Sequence, residues 1–146
     1  MRFKASDSNP IRLKRRTQAA LGAEKADLVI KNAQVLDVFS GCFFKGDVAV
    51  ADGIIVGTQE NYDATEMMDG SDVFVVPGFI DSHVHMESCL MTPARFQESV
   101  LPRGTTTALW DPHEITNVLG ADGISWALQS SEGLQLDVFV LLPSCV

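Results

Sequence analysis

VVPGFIDSHVHMESCLMTP, residues 75–93, holds two of the three histidines in this 146-residue chain. They stand one residue apart at the end of an apolar run, and a carboxylate, Glu87, follows. Pro77-Gly78 separates two kinds of pattern. Downstream, FIDSHVH reads as a short strand. TPARFQESVLPRG (92–104) offers Thr92 as N-cap, Pro93 as the first helical residue, and Phe96, Val100 and Leu101 along one side. TTTALW (105–110) is β-rich, residues 115–133 are weakly helical between glycines, and LQLDVFVLLPSCV (134–146) is a strongly apolar strand. Strand, helix, strand, helix, strand is the order of a parallel sheet with helical crossovers, an α/β architecture.

Upstream the signals are those of a small antiparallel sheet. ADLVIKNAQVLDVFSG (26–41) is rich in β-branched residues, with expected turns at Lys31-Asn32 and Ser40-Gly41. GDVAVADGIIVGT (46–58) reads as a hairpin turning at Asp52-Gly53. MMDGSDVFVV (67–76) adds one more short strand. Ahead of these, residues 1–10 are polar, and Ile11 to Leu21 form a short basic helix that Gly22 ends. The expected organisation is an N-terminal segment over 1–26, a sheet portion over 27–76 and strand–helix units over 77–146.

On a strand, residues i and i+2 share a face, so His83 and His85 project together while Val84 packs behind them. Imidazole is the commonest neutral ligand of first-row transition ions, and two at this spacing can hold one metal. A hydrogen-bonded histidine pair without a metal has the same sequence. Glu87 continues the alternation, as a further ligand or as a partner that orients an imidazole. Asp81 lies one step back on the same face, placed to bond a turn or a histidine. The third histidine falls in LWDPHEITN (109–117). Pro112 ends the ladder of the preceding strand. Asp111, His113 and Glu114 then occupy a loop, where they position substrate, hold an extra metal or support the histidine pair. The alternative is helix capping by Asp111 or Thr116, with Glu114 favouring the helix dipole.

PGFIDSHVH resembles the first barrel strand of the amidohydrolase family, metal-dependent hydrolases built as a (β/α)8 barrel with a small β-sandwich. The upstream strands resemble the sandwich portion. HxHxES, the MTP helix start, LPRGTTT, DPHEITNVLG and the closing LPSCV resemble the adenine-deaminase branch of that family, over roughly residues 10–146. The resemblance implies the first strands of a barrel preceded by part of a sandwich, incomplete in this chain. It implies deamination of adenine to hypoxanthine and ammonia in purine salvage, by attack of metal-activated water at C6. It also implies a binuclear divalent transition-metal site, manganese first, with iron or zinc as alternatives. His83 and His85 would ligate the more buried ion. The remaining ligands and the proton-carrying carboxylate would lie beyond Val146, so the isolated chain is expected to be inactive. Another amidohydrolase acting on cyclic amides, or a non-catalytic truncated product, are the competing readings.

The bulk numbers suit such an enzyme. Hydrophobic residues make up 46% of the chain and charged ones 21%, an ordinary soluble composition. No apolar run is long enough to span a bilayer and no secretory signal opens the chain, so the expected setting is cytoplasmic, without a membrane partner. Net charge is −8. Arg2, Lys4, Arg12, Lys14, Arg15, Arg16 and Lys25 gather in the first 25 residues and leave an acidic body, which disfavours a nucleic-acid partner. The basic leader is either a solvated helix face or a site for an anionic partner. The expected partners are adenine and, for the full-length enzyme, copies of itself. Cys42, Cys89 and Cys145 have no paired spacing and read as buried or idle thiols rather than as disulfides or a metal clip.

Overall fold

A computed structural model describes residues 9–58 and 61–144. Of the polar segment expected over residues 1–10, residues 1–8 lie outside the described residues, as does Cys145. The chain divides between Pro77 and Gly78 into two compact units.

The first unit opens with α1 (Pro10–Ala20), capped by the Asn9 side chain, which accepts from the Ile11 amide at 3.0 Å. Strands β1 (Ala26–Asp37), β2 (Cys42–Ala51), β3 (Ile54–Gly57) and β4 (Ala64–Asp69) follow in the spatial order β3-β2-β1-β4, and the short β5 (Phe74–Val75) also pairs with β1. β1–β2 and β2–β3 are antiparallel, but β4 and β5 run parallel to β1, so the sheet is mixed rather than antiparallel. The hairpin turn at Asp52-Gly53 holds both residues at positive φ, 52° and 72°.

The turn expected at Lys31-Asn32 is a bulge inside one continuous strand. The β1–β2 register shifts between Ile30 and Ala33, and Asn32 sits at φ 60°. Asp47 on β2 makes this possible. Its carboxylate accepts from the Asn32 amide at 3.0 Å and from Lys31 Nζ at 2.7 Å, and the same ammonium donates to the Tyr62 carbonyl. The backbone groups that would otherwise favour a turn are thereby satisfied in the sheet. The basic helix finds its anions within the chain. Arg15 pairs with Asp27 and, at 2.8 Å, with Asp52, and Arg16 lies 3.5 Å from Asp52. Two small clusters, one of Ala26, Val29, Ala49 and Ala64 and one of Ala33, Val35 and Val48, form the core.

Acid sensitivity follows from these carboxylates. The Arg15 guanidinium holds Asp27 below the usual carboxylate range. Burial pushes Asp47 up, but the Lys31 ammonium and the Asn32 amide outweigh it, and the net shift is downward. A carboxyl with a lowered folded pKa stabilises the fold above its unfolded pKa, and that stability disappears as pH falls through the folded value. The unit is therefore expected to keep a constant melting temperature near neutrality and to weaken below about pH 4. Asp47→Ala removes the acceptor of a buried ion pair and of the bulge amide, at a cost of about 2–3 kcal/mol. Thermal unfolding followed against pH checks both, and an unaltered acid limb in Asp47→Ala would remove this carboxylate from the account.

The second unit is a three-stranded parallel sheet. β6 (Phe79–Val84) leads through a 3-10 turn at Glu87–Cys89, α2 (Pro93–Val100) and a second 3-10 turn at Leu101–Arg103 to β7 (Thr105–Trp110). α3 (His113–Leu119) and α4 (Ala121–Ser130) then lead to β8 (Asp137–Val140), which pairs with β7. Among the described residues of the apolar closing stretch, only Asp137–Val140 are strand. Thr92 occupies the N-cap of α2 but makes no side-chain cap bond, and its carbonyl accepts from Arg95 and Phe96 instead. Phe96 is buried, with Val100 and Leu101 beside it, along the face the spacing predicts. The helix expected after β7 breaks at Gly120. Gly123 lets α4 lie against α3, since a Cβ there would stand 2.6 Å from the Ile115 carbonyl oxygen.

Met86, Phe96, Ala108, Trp110, Ala127 and Leu136 form the core of this unit, with Val84, Val138 and Val140 packed on it. Trp110 is fully buried and meets Trp126 edge to face at 5.9 Å. Phe79, Ile80 and Phe139 remain exposed. Cys42 and Cys89 are free and exposed rather than buried.

Candidate metal centre

Val84 packs into the core and Trp110 lies beside it in the β6–β7 ladder, so the C-terminal ends of the two strands come level. The Asp111 amide donates to the Val84 carbonyl at 2.9 Å and fastens the next residue of each chain segment to its neighbour. His83, exposed, projects opposite to Val84, and His85 follows just past the strand end. Their Nε2 atoms stand 3.0 Å apart. Asp111 Oδ2 is 3.8 Å from His83 Nε2, and the three groups offer ligand atoms all within 4.8 Å of one another. Asp81 fixes the base of the pair by accepting from the His83 amide at 3.2 Å.

Two observations show that these residues fit a metal ion. Asp111 Oδ1 is buried with no hydrogen-bond partner among the described residues, a costly state for a carboxylate oxygen that a cation would relieve. Two imidazole nitrogens of one ion, each about 2.0–2.1 Å from it at angles between about 90° and 109°, lie about 2.9–3.3 Å apart, and the histidine pair falls in that range. Two histidines and a carboxylate suit zinc, iron or manganese rather than the all-oxygen shells of calcium or magnesium.

The two clusters named from sequence meet here, with divided duties. Asp111 turns toward the histidine pair. Glu114 stands behind it, with Oε2 at 3.1 Å from His85 Nδ1 and Oε1 accepting from Ser88 Oγ at 2.5 Å. The Ser88 hydroxyl holds the Glu114 carboxyl below the ordinary carboxylate range against a smaller upward pull from burial, and the His85 ring adds to the lowering. The His113 ring meets His85 edge-on at 6.2 Å and is not among the converging ligand atoms. His113 and Glu114 lie in the first turn of α3 rather than in a loop, because the helix begins directly after Pro112; Glu114 there favours the helix dipole, but neither Asp111 nor Thr116 is the cap. Pro112 occupies the N-cap of α3, and Thr116 Oγ1 donates back to the Pro112 carbonyl at 2.6 Å.

Glu87 is not brought into the cluster. Strand alternation stops at Val84, the chain enters the 3-10 turn, and the Glu87 carboxylate instead accepts from Trp110 Nε1 at 2.7 Å and from the Ile115 amide at 3.3 Å. It ties the first loop to the buried tryptophan and to α3. Ser88 had no distinguishing signal beyond its place in the HxHxES run.

Parallel strands joined by helices, with histidines and a carboxylate gathered at the C-terminal strand ends, form a candidate metal centre, and the sequence pattern of the Amidohydrolase family matches residues 74–146. The chain belongs to the amidohydrolase family. It is similar to the adenine deaminase of Listeria welshimeri, with 49% identity over 134 residues, and to that of Desulfitobacterium hafniense, with 51% identity over 134 residues. Each alignment covers 92% of this chain and 23% of the relative, so the chain spans about a quarter of the length of these relatives. A solved structure of N-acyl-D-glutamate deacylase from Bordetella bronchiseptica, complexed with zinc and a phosphonate inhibitor, is similar with a TM-score of 0.50 and 28% identity. The likeness covers 60% of this chain and 19% of that one.

Proposed function

We propose that these residues form the metal-binding front of an adenine deaminase, which converts adenine and water to hypoxanthine and ammonia in purine salvage. The observation that carries the proposal is the convergence of both Nε2 atoms with the carboxylate of Asp111, in a chain 47–51% identical to adenine deaminases. In this reading β6, β7 and β8 are the first three strands of a (β/α)8 barrel over residues 77–146. Residues 27–76 are part of a small β-sandwich, and residues 1–26 are an N-terminal segment with a basic helix. The bound group is a divalent transition metal, manganese first and iron or zinc otherwise.

When bound, such a metal would make a water acidic enough to lose a proton near neutral pH and so serve as the nucleophile toward C6 of the purine. His83 and His85 would hold it, with Asp111 as the carboxylate on the same side. Asp81 keeps the β6 end in register. Glu87, through the Trp110 indole and the Ile115 amide, holds the loop that carries Ser88 against the helix that carries Glu114. His113 lies at the edge of the same cluster, placed to meet substrate. The other ligands, and the group that moves the proton from water to the departing ammonia, come from the part of the relatives' length that these residues do not span. The 146-residue chain by itself is accordingly inactive. The same reading carries a cytoplasmic, homo-oligomeric full-length enzyme with neither nucleic acid nor membrane as partner. No helix among the described residues is long and apolar enough to cross a membrane.

The test is adenine-dependent ammonia release, with manganese, iron or zinc, by the chain alone and by the chain joined in frame to the remaining length of a full-size enzyme. Release by the longer form only is expected. A longer form that folds and binds metal but leaves adenine untouched would defeat the substrate assignment in favour of a cyclic-amide hydrolase.

A further inference from the structure

Two carboxylates flank the histidine pair, and they differ in what their oxygens do. Asp111 keeps Oδ1 unpartnered and buried. Glu114 has both oxygens engaged, one by Ser88 Oγ and one facing His85 Nδ1. An ionised carboxylate only accepts, so the imidazole nitrogen facing it must carry the proton. A neutral His85 with its proton on Nδ1 presents a bare lone pair on Nε2, the atom 3.0 Å from His83 Nε2. In free imidazole side chains no such choice is enforced, and a histidine with its proton on Nε2 has nothing to give a metal at that atom.

We infer that Glu114, oriented by Ser88, is the positioning residue that fixes His85 in the Nδ1–H tautomer and so readies its Nε2 for the metal. This rests on the proposed metal-binding role of the pair. Glu114 is not itself a ligand: neither of its oxygens belongs to the converging set of His83, His85 and Asp111. Its distance from His85 along the chain, 29 residues, makes it the means by which α3 controls the loop after β6. Ser88 contributes by holding Oε1, which leaves the carboxylate one orientation toward the ring. Geometry of this kind, a carboxylate behind a metal-binding imidazole, raises the basicity of the ligand and fixes its plane.

The experiment uses the 146-residue chain labelled with 15N at histidine, at about pH 8, where imidazoles are largely neutral. Two-bond nitrogen–proton spectra report the tautomer of His85 without metal, and competition with a chromophoric chelator reports the affinity for zinc and for manganese. The expected result is Nδ1–H at His85 in the unaltered chain and loss of that preference in Glu114→Ala. Metal affinity should fall by about ten- to a hundredfold in the same variant. Ser88→Ala should fall by less, and Ser88→Thr should restore it. Glu114→Gln preserves size and an acceptor oxygen, and serves if the alanine variant does not fold; it should lie between the two. An unchanged tautomer together with affinity within about twofold of the unaltered chain, in a folded Glu114 variant, overturns the inference. His83→Ala separates the two levels. If it too binds metal normally, the proposed site is wrong. If it does not, while Glu114→Ala does, only the positioning role fails.

Discussion

His83→Ala and His85→Ala are each expected to lower metal affinity by more than about a hundredfold, beyond what loss of an outer partner costs, and to abolish deamination in a full-size enzyme carrying them. The size follows from how few donors this side of the site has. The described residues bring together two nitrogens and one carboxylate, so either alanine leaves one imidazole and Asp111. The folding cost is small by comparison. His83 is exposed, its side chain lies off the core, and the strand is held by Val84 and by the amide bond from Asp111. Calorimetric metal titration alongside circular dichroism makes the check. Variants that are folded and still bind one equivalent as tightly as the unaltered chain would move the metal site elsewhere. His83→Asn and His85→Asn should fare little better, because an amide oxygen is a poor substitute for imidazole toward a transition ion.

Trp110→Ala should be the most damaging substitution for stability. The side chain is fully buried among Met86, Phe96, Ala127 and Leu136, and its indole N–H is bonded to Glu87. Truncation of a buried tryptophan costs about 3–5 kcal/mol through lost transfer energy and a residual cavity, and a stripped Glu87 acceptor adds to it. Small domains have about 5–15 kcal/mol in total, so this unit should be largely unfolded at physiological temperature. Trp110→Phe keeps most of the packing and loses the indole bond, with an expected cost of about 1–3 kcal/mol. Both tryptophans of the chain are in this unit, so Trp126 fluorescence during urea unfolding reads the transition directly. An unshifted midpoint in Trp110→Ala would mean that the sheet does not depend on this side chain.

The histidine pair was readable because a strand imposes a period of two, and the strand is real through Val84. The same rule misplaced Glu87, since no periodicity survives the entry into a 3-10 turn. The change of pattern at Pro77-Gly78 was readable from composition and turn chemistry, and so was the strand–helix alternation after it. The mixed sheet was not: parallel pairing of β4 with β1 depends on where a later strand returns, which local residues do not state. Lys31-Asn32 looks like a turn in isolation and becomes a bulge only because Asp47, on another strand, supplies an acceptor. DPHE announced three polar groups near a strand end. Their division into Asp111 facing the pair, Glu114 behind His85 and His113 at the margin is set by the geometry of α3 after Pro112, a tertiary fact.

The parallel order of β6 and β7 has a kinetic consequence. His83 and His85 are neighbours from the moment of synthesis, but His85 and Glu114 are 29 residues apart and meet only when α2 has been crossed and β7 has zipped alongside β6. Pairings of that separation are slow to form, because the loop must close before any contact rewards it. The coordinating cluster is therefore expected to form only once β7 has paired with β6. A metal ion captured there stabilises the finished state by mass action and leaves the ascent to it unaided. Its signature is slower escape from the native state rather than faster arrival.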